Sequence, residues 1–282
     1  MLLSIVIPTY KRHEILGLCL KQLTPEIQKL SADSFEVIVS DDGFGEESQT
    51  LLKRDYPWAI HNRGPQKGPA ANRNSGASIA RGEWLIFLDD DCQPEPGFLS
   101  GYVEAIQKNP NYSIFEGRTL PDRPRATLAE ESPVNAHGGY LWSCNFLIKR
   151  KLFFEVGGFC ELYPYACMED VDFREQLTKR DLKFLFVPEA CVIHPWRPMT
   201  PDDKFLTSRL VSHTVYFDRH PQTRPSLFGT CKGIVRMWLF LIISDGPKLK
   251  YHGFGRYCAR LWTVTKCELM NWAAFKRRKA VS

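Results

Sequence analysis

Three short, mostly apolar runs stand out in the first ninety positions. They cover residues 2–8 (LLSIVIP), 35–40 (FEVIVS) and 84–88 (WLIFL). Runs of this length, rich in β-branched and aromatic residues, are typical of strands with both faces buried. Between them, residues 14–30 carry apolar positions at helical spacing, and residues 46–54 are predicted to form a short helix. The alternation predicts an α/β fold on a mostly parallel central sheet.

The same alternation continues towards the middle of the chain. We predict a short piece of structure at 58–61, helices at 70–80, 96–109 and 168–179, and strands at 112–118, 143–149, 183–187 and 190–194. Residues 119–139, rich in Pro, Arg, Glu and Gly, predict a mobile loop. The globular core is expected to end near residue 201. Beyond it, three helices are predicted at 204–219, 226–243 and 255–278.

Positive charge is concentrated at the C-terminus. The formal net charge is +5, but residues 246–282 hold nine Lys or Arg against one acid, so this tail is +8 and the remainder −3. Such segregation indicates that the two parts face different surroundings. The last helix mixes these cations with Trp262, Trp272 and other apolar residues, a composition typical of a helix on a membrane surface. A helix packed on the core with a solvated basic face has the same composition.

Other global features narrow the class of protein. A chain of 282 residues can bury a large core without disulfides, and its nine cysteines include no CxxC pair, which indicates reduced thiols in a cytoplasmic compartment. The N-terminus predicts a first strand rather than a signal peptide. The longest fully apolar stretch, residues 237–243, is far shorter than the roughly 18 residues that span a bilayer, so no membrane crossing is expected.

Carboxylates close two of the predicted strands. Asp89, Asp90 and Asp91 follow one of them, and Asp41 follows another. Ligands of open α/β sheets lie at the carboxyl ends of the strands, so a substrate site is expected here. Adjacent carboxylates repel one another unless a cation compensates, and Mg²⁺ or Mn²⁺ fits. Alone, the triplet is also consistent with a solvated helix-capping turn, and Asp41 with an ordinary Asp-Gly turn.

Three further segments carry candidate chemistry. The stretch KGPAANRNSG joins a tight turn to a helix start and places Lys67 and Arg73 where they favour phosphate. Glu169 and Asp170 lie at another helix start, where a carboxylate can take the proton of an attacking hydroxyl. His194 could offer its imidazole to a metal. The structural alternatives are a packed helix with a solvated Lys, macrodipole partners and a structural histidine.

Several motifs follow one another in a recognisable order. They are SIVIPTY at 4–10, VSDDG at 39–43, GPAANRN at 68–74, FLDDD at 87–91, GGF at 157–159, EDVDF at 169–173, VPEA at 187–190 and His194. In this order they resemble the family 2 glycosyltransferases with the GT-A fold, over residues 2–197. The order is far more specific than any one motif.

The resemblance, with the residue chemistry above, implies roles for the motif residues. The nucleotide side comprises Pro8, Thr9, Arg12, Asp41, Lys67, Arg73, Asp89 and Asp90. The metal ligands are Asp91, as the direct ligand, with Asp89 and His194. Asp170 matches the catalytic base of the family, and Glu169 lies beside it. Such enzymes invert the anomeric centre by direct displacement, while a metal offsets the charge of the departing diphosphate.

Two positions depart from the usual family pattern. Phe44 stands where Ser or Thr is usual, and Asp90 stands where a small residue often separates the acids. Neither departure removes a required carboxylate. They leave open which acid of the triplet contacts the metal, and the motifs do not name the donor sugar.

We therefore expect an inverting, hexosyltransferase-type enzyme of polysaccharide biosynthesis that uses a UDP-sugar, Mn²⁺ or Mg²⁺, and a glycan or lipid-linked glycan acceptor. Residues 1–201 would form the catalytic domain, and 202–282 a helical, basic extension that rests on the acceptor or on an anionic membrane surface. The expected location is cytoplasmic, peripheral on the inner or plasma membrane, without a nucleic-acid partner. Rival interpretations are a sugar-phosphate nucleotidyltransferase, which would need a Gly-rich phosphate loop at residues 9–12, and a catalytically silent nucleotide-sugar binding protein.

Overall fold

The computed structural model describes residues 2–200 and 202–279, with side chains described as far as residue 273. The strands are β1 (Leu3–Thr9), β2 (Phe35–Asp41), β3 (Ile60–Arg63), β4 (Trp84–Leu88), β5 (Gln93–Pro94), β6 (Ile114–Leu120), β7 (Glu130–Glu131), β8 (Asn145–Lys149), β9 (Leu185–Ile193) and β10 (Arg197–Pro198). The helices are α1 (His13–Lys21), α2 (Pro25–Gln28), α3 (Glu47–Asp55), α4 (Pro69–Ile79), α5 (Phe98–Lys108), α6 (Arg150–Glu155), α7 (Glu169–Thr178), α8 (Asp203–Arg219), α9 (Leu227–Phe240), α10 (Gly246–Lys248) and α11 (Phe254–Lys279).

An eight-stranded sheet in the order β3-β2-β1-β4-β8-β6-β9-β5 forms the centre of the fold. β1 pairs in parallel with β2 and β4, and β2 with β3, while β8 runs antiparallel to β4 and β6. The predicted mostly parallel α/β sheet is confirmed. Because β1, β2 and β4 run in the same direction, their carboxyl ends lie at one edge. Thr9, Asp41 and Asp89 therefore gather at that edge.

A cluster of buried aromatic rings fixes α7 against the sheet. Its members are Phe87, Phe146, Phe153, Phe159 and Phe173, with ring centroids between 4.8 and 6.2 Å apart. Phe87 belongs to β4 and Phe173 to α7. Aromatic rings in such tilted and edge contacts stabilise a core beyond the area they bury. The cluster thus holds the start of α7 near the end of β4.

Two predicted elements have different boundaries in the structure. The two strands predicted at 183–187 and 190–194 form the single strand β9, so that prediction was wrong. Its parallel ladder with β6 shifts register between Gly117 and Arg118. Such an irregularity accommodates Pro188, which has no N–H for a ladder. The helix predicted at 14–30 is divided into α1 and α2, because Pro25 begins a new helix capped by Thr24.

The chain divides into two compact units. The first comprises Met1–Asp122 and Pro133–Pro195, and the second comprises Arg123–Ser132 and Trp196–Ser282. Within the second unit, Leu128 N–H donates to the His252 carbonyl at 2.8 Å, and Arg260 Nη2 lies 2.7 Å from Glu131 Oε2. Residues 123–132 therefore group with the C-terminal helices, although the sequence pattern placed them in the first domain. The functional division at residue 201 stays a prediction.

One helical run in the second unit is longer and more apolar than expected. α9 continues through a π-helical turn at Leu241–Asp245 into α10. Among the described residues, the 22-residue run Leu227–Lys248 is long and apolar enough to cross a membrane, with a mean hydropathy of 1.5 over an 18-residue window. The sequence analysis counted only unbroken apolar stretches and did not single out this run, because Lys232 and Arg236 interrupt it. The expectation of no membrane crossing stays a prediction.

Candidate active site

The acids that close separate strands meet around Thr9. Thr9 Oγ1 donates to Asp90 Oδ2 at 2.7 Å, and the Thr9 carbonyl accepts the Asp42 N–H at 3.0 Å. Asp41 is the register partner of Thr9 in the neighbouring strand, and its Oδ1 accepts the Gly43 N–H at 2.8 Å. The two acidic motifs, 48 positions apart in the sequence between Asp41 and Asp89, thus form one site.

Asp42 shapes the turn that leads into α4. Its two carboxylate oxygens accept the N–H groups of Gln66 and Gly68, both at 2.9 Å. Gly68 has φ +95°, and a Cβ there would lie 2.5 Å from the Pro164 carbonyl oxygen, so only glycine fits. The Lys67 side chain between them is exposed. The Asp41-Asp42 motif indicated this carboxylate, but its partner turn lies 24 residues further along the chain.

Arg73 joins the nucleotide side of the predicted site to the start of α7. Its side chain is 3% exposed, with Nη2 2.6 Å from Asp89 Oδ1 and Nη1 3.0 Å from Glu169 Oε1. Burial lowers the pKa of Arg73, but the two carboxylates outweigh this effect, and the pKa is raised. A permanently charged guanidinium therefore lies between acids from two elements.

Arg12 and His194 flank the acidic triplet. Arg12 forms ion pairs with Asp90 and, through Nη1 at 2.8 Å, with Asp91 Oδ2. His194 Nε2 lies 3.3 Å from Asp91 Oδ1. Burial lowers the pKa of His194, but the Asp91 carboxylate outweighs burial and leaves the pKa raised. Both oxygens of Asp91 therefore face nitrogen groups that carry or can accept positive charge.

Asp91 and His194 offer atoms that suit a divalent cation. Together with Cys92, their ligand atoms lie within 4.8 Å of one another. The Cys92 thiol is a poor ligand for a hard cation, because its hydrogen bond with Cys144 and its burial raise its pKa well above the usual value. A carboxylate oxygen and an imidazole nitrogen fit Mn²⁺ or Mg²⁺, with further positions left for water and phosphate oxygens. Asp89, also predicted as a ligand, pairs through Oδ1 with Arg73, and its role as a ligand stays a prediction.

Asp170 lies half-buried beside Glu169 at the start of α7. Its Oδ1 accepts the Val171 N–H at 2.7 Å, and the Ser143 N–H also faces its carboxylate. Burial raises the pKa of Asp170 and raises that of Glu169 to about 7, in both cases against the charge of Arg73. A carboxylate whose pKa moves towards neutrality is suited to accept a proton from a hydroxyl.

An aromatic pair precedes Ser143 in the chain. The rings of Tyr140 and Trp142 lie 4.5 Å apart at 32°, and Tyr140 is 45% exposed. Because Ser143 contacts Asp170, this pair lies close to the predicted base. The sequence motifs gave no role to these rings; the available signal was two aromatic residues within three positions after Gly138-Gly139.

The backbone that carries this pair is held from two sides. The buried carboxylate of Glu116 accepts the N–H groups of Gly139 at 2.6 Å and Tyr140 at 2.8 Å. Arg174 of α7 donates to the carbonyls of the same two residues at 3.1 and 3.3 Å. Because both donors and acceptors of this backbone are engaged, the aromatic pair has a fixed position.

Asp90 gives the metal-free protein a predicted pH dependence. Burial raises its pKa from 3.8 to about 7, against the opposing charge of Arg12. The folded state therefore holds this proton where the unfolded state has lost it, so the free energy of unfolding falls as pH rises from about 4 to about 7. We expect Asp90→Asn to weaken that slope in thermal denaturation with EDTA across this range. If the variant shows the same slope as the wild type, Asp90 is not the group whose protonation causes it.

Ten of the twelve predicted site residues are connected at this edge of the sheet. They are Thr9, Arg12, Asp41, Arg73, Asp89, Asp90, Asp91, Glu169, Asp170 and His194. Pro8 is buried within β1 opposite Ser40, and Lys67 is exposed. The functional role of each of the twelve stays a prediction.

The topology and the acidic strand ends define a GT-A glycosyltransferase fold. A mannosyltransferase from Pyrobaculum calidifontis, solved in complex with GDP-Man and Mn²⁺, is similar with a TM-score of 0.60 over 96% of this chain and 86% of that chain, at 15% identity. Residues 1–349 of TarS from S. aureus, solved with UDP-GlcNAc, give a TM-score of 0.55 over 77% and 66% of the two chains, at 19% identity.

The chain belongs to glycosyl transferase family 2, whose model matches residues 4–160, and it is a glycosyltransferase. An uncharacterized glycosyltransferase of Haemophilus influenzae is 28% identical over 233 residues, 75% of each chain. The GalNAc(5)-diNAcBac-PP-undecaprenol beta-1,3-glucosyltransferase of Campylobacter jejuni is 29% identical over 126 residues, 43% of this chain and 39% of that protein. The predicted family, fold and enzyme class are confirmed, and neither rival interpretation is supported.

Proposed function

We propose that the protein transfers a sugar from a nucleoside diphosphate, with a UDP-sugar as the first choice, to a hydroxyl of a glycan or lipid-linked glycan, with inversion. The observation that carries this proposal is the buried guanidinium of Arg73, which pairs with Asp89 on the nucleotide side and Glu169 beside Asp170. Donor and base would thus share one site. Support also comes from the nucleotide-sugars bound to the structural neighbours and from the undecaprenol-linked substrate of the Campylobacter relative.

Each group of site residues has a separate role in the proposed reaction. Asp170 takes the proton of the acceptor hydroxyl as its oxygen attacks the anomeric carbon. The N–H groups of Val171 and Ser143 orient that carboxylate. A Mn²⁺ or Mg²⁺ held by Asp91 and His194 would offset charge on the departing diphosphate. Asp41 and Asp89 would bind the base and ribose, and Arg12, which pairs with Asp90 and Asp91, would contact the diphosphate.

A nucleotide panel tests the donor side of this proposal. Thermal midpoints would be measured with UDP, GDP and dTDP, each with and without Mn²⁺. A ligand that binds only the folded state raises the midpoint, so the largest rise is expected with UDP and Mn²⁺ together. No response to any of the three nucleotides would contradict the proposal, and a larger response to GDP would reassign the donor.

The Tyr140–Trp142 pair is proposed to receive the apolar face of an acceptor sugar ring. Exposed aromatic rings beside a few polar groups are typical of small-molecule sites. Tyr140→Ala is expected to raise the acceptor KM about fivefold, whereas Tyr140→Phe, which keeps the ring, stays near wild type. Phe154→Ala, at an aromatic residue of α6 with the same 45% exposure, is the control. Equal effects of the Ala and Phe variants at position 140 would contradict ring stacking.

We also propose that the enzyme acts at the cytoplasmic face of a membrane, where a lipid-linked acceptor would be found. The C-terminal residues would serve as a helical, basic extension of the catalytic domain. Support comes from the +8 charge of residues 246–282 and from the apolar helical run at Leu227–Lys248. Anionic lipid attracts such basic segments.

A further inference from the structure

α9 presents an apolar stripe to solvent. Its members are between 48% and 80% exposed: Phe228, Val235 and Leu239 of α9, with Ile242 and Ile243 of the π-helical turn that follows. Val235, Leu239 and Ile242 are four and three positions apart, and Phe228 lies seven positions before Val235. A surface helix of a soluble protein normally shows polar residues on its outer side. Contiguous exposed apolar residues of this kind mark an interaction surface.

The opposite side of the same helix is already used in the second unit. Leu241 is buried in a cluster with Leu128 and Leu261, and Met237 and Trp238 pack against it. Trp238 Nε1 also donates to Thr265 Oγ1 at 3.3 Å. α9 is therefore apolar on two sides, of which the core of this unit covers one. The stripe is an additional surface and is not needed for this packing.

Positive charge lies along the stripe, since Lys232 is four positions after Phe228 and three before Val235 and therefore shares their face of the helix. Between Asp218 and Asp245 the sequence contains no acid and four cations, Arg219, Arg224, Lys232 and Arg236. Lys232 and Arg236 are exposed, one turn apart on α9. Asp245 itself pairs with Arg125 Nη1 at 3.0 Å. An apolar helix face that also carries cations is complementary to the acyl and head-group layers of an anionic bilayer.

The packing and charge of α9 favour a position on the bilayer surface over two alternatives, a helix that crosses the bilayer and a contact with a second copy of the chain. A helix that crosses a bilayer alone would meet lipid on all sides, whereas α9 packs one side on protein and carries two cations midway. A second copy docked stripe to stripe would bring Lys232 and Arg236 towards like charges. A position in the plane of the interface lets these side chains reach the head groups.

We propose that this stripe is a membrane-binding surface that inserts into the interfacial layer of an anionic bilayer. This inference deepens the proposed function and rests on its membrane-linked acceptor. It places the main membrane contact on α9, whereas the sequence predicted it on the last helix. Trp262 of that helix is exposed, but Trp272 is half-buried, and Arg260 is engaged with Glu131.

Vesicle flotation of the full chain tests the surface. Vesicles of phosphatidylcholine alone would be compared with vesicles that also contain phosphatidylglycerol. We expect the wild type to float with the anionic vesicles, and Val235→Asp/Leu239→Asp to reduce the bound fraction about tenfold or more. Leu162→Asp, at a 64% exposed leucine of the first unit, is the matched control and should bind as wild type.

Each of the following outcomes would contradict the proposal that the stripe binds a membrane. Undiminished flotation of the double variant places the contact elsewhere. Light scattering that shows a wild-type dimer and a monomeric variant assigns the stripe to a second copy. Wild-type protein that resists alkaline carbonate extraction indicates a crossing helix. If the double variant fails to fold, Phe228→Ser at the most exposed position replaces it. If a nucleotide raises the thermal midpoint but the wild type does not float with either kind of vesicle, the membrane-binding surface is contradicted. The proposed sugar transfer from a nucleotide donor is not.

Discussion

Asp170→Asn is expected to lower the turnover of the sugar donor by about 10²- to 10⁴-fold, with UDP affinity unchanged within about twofold. Asparagine retains the size of the side chain and an oxygen that can accept the N–H groups of Val171 and Ser143. It cannot take the proton of the attacking hydroxyl. The measurement is UDP release from the donor with water or an added glycan acceptor, together with calorimetric titration of UDP.

Asp172→Asn provides the matched control on the same helix. Its carboxylate accepts hydrogen bonds from Tyr163 at 3.2 Å and Gln176 at 2.6 Å, so it serves packing within α7 and its surroundings. Turnover per folded molecule should remain near wild type in this variant. Equal losses in the two variants, or full turnover in Asp170→Asn, would show that Asp170 is not the base.

Arg73→Met is expected to reduce the free energy of unfolding by about 3–5 kcal/mol, because it leaves two carboxylates uncompensated in a buried site. Asp89 and Glu169 lose their shared partner, and the end of β4 loses its ion-pair connection to α7. Urea denaturation at neutral pH measures the change. Addition of Glu169→Gln should restore part of the loss, because it removes one of the two buried charges.

Arg54→Met is the control for the Arg73 variant. Arg54 pairs with Asp55 on the surface, where solvent screening leaves an ion pair little net effect on stability. The large effect is therefore expected only at the buried arginine. If Arg73→Met and Arg54→Met lower the free energy of unfolding by the same amount, the Arg73 ion pairs do not stabilise the site.

The sheet was predictable because its strands are buried on both faces. β1, β2 and β4 appear in the sequence as compact apolar runs, and their acidic ends mark the ligand edge of the sheet. β9 was harder to predict, since Pro188 suggests a break and only the ladder with β6 shows that the strand continues. Long-range pairing, which local pattern does not contain, decides such cases.

The residue types of the site could be predicted, but their pairing could not. Arg73 and Glu169 are separated by 96 positions, and Arg12 and Asp91 by 79. No spacing rule joins them, because their contacts depend on how α4, α7 and the strand ends pack. The same reason explains why residues 123–132 group with the C-terminal helices and why the stripe on α9 was not distinguished from a core-facing side.

Calorimetric titration of UDP into the wild type and into Asp91→Asn, each with and without Mn²⁺, tests most directly whether the acidic strand ends hold a cation against a diphosphate. Wild type with Mn²⁺ is expected to bind UDP at least about tenfold more tightly than the other three combinations, because Asp91 supplies the carboxylate ligand. Equal UDP affinity in all four titrations would contradict the account.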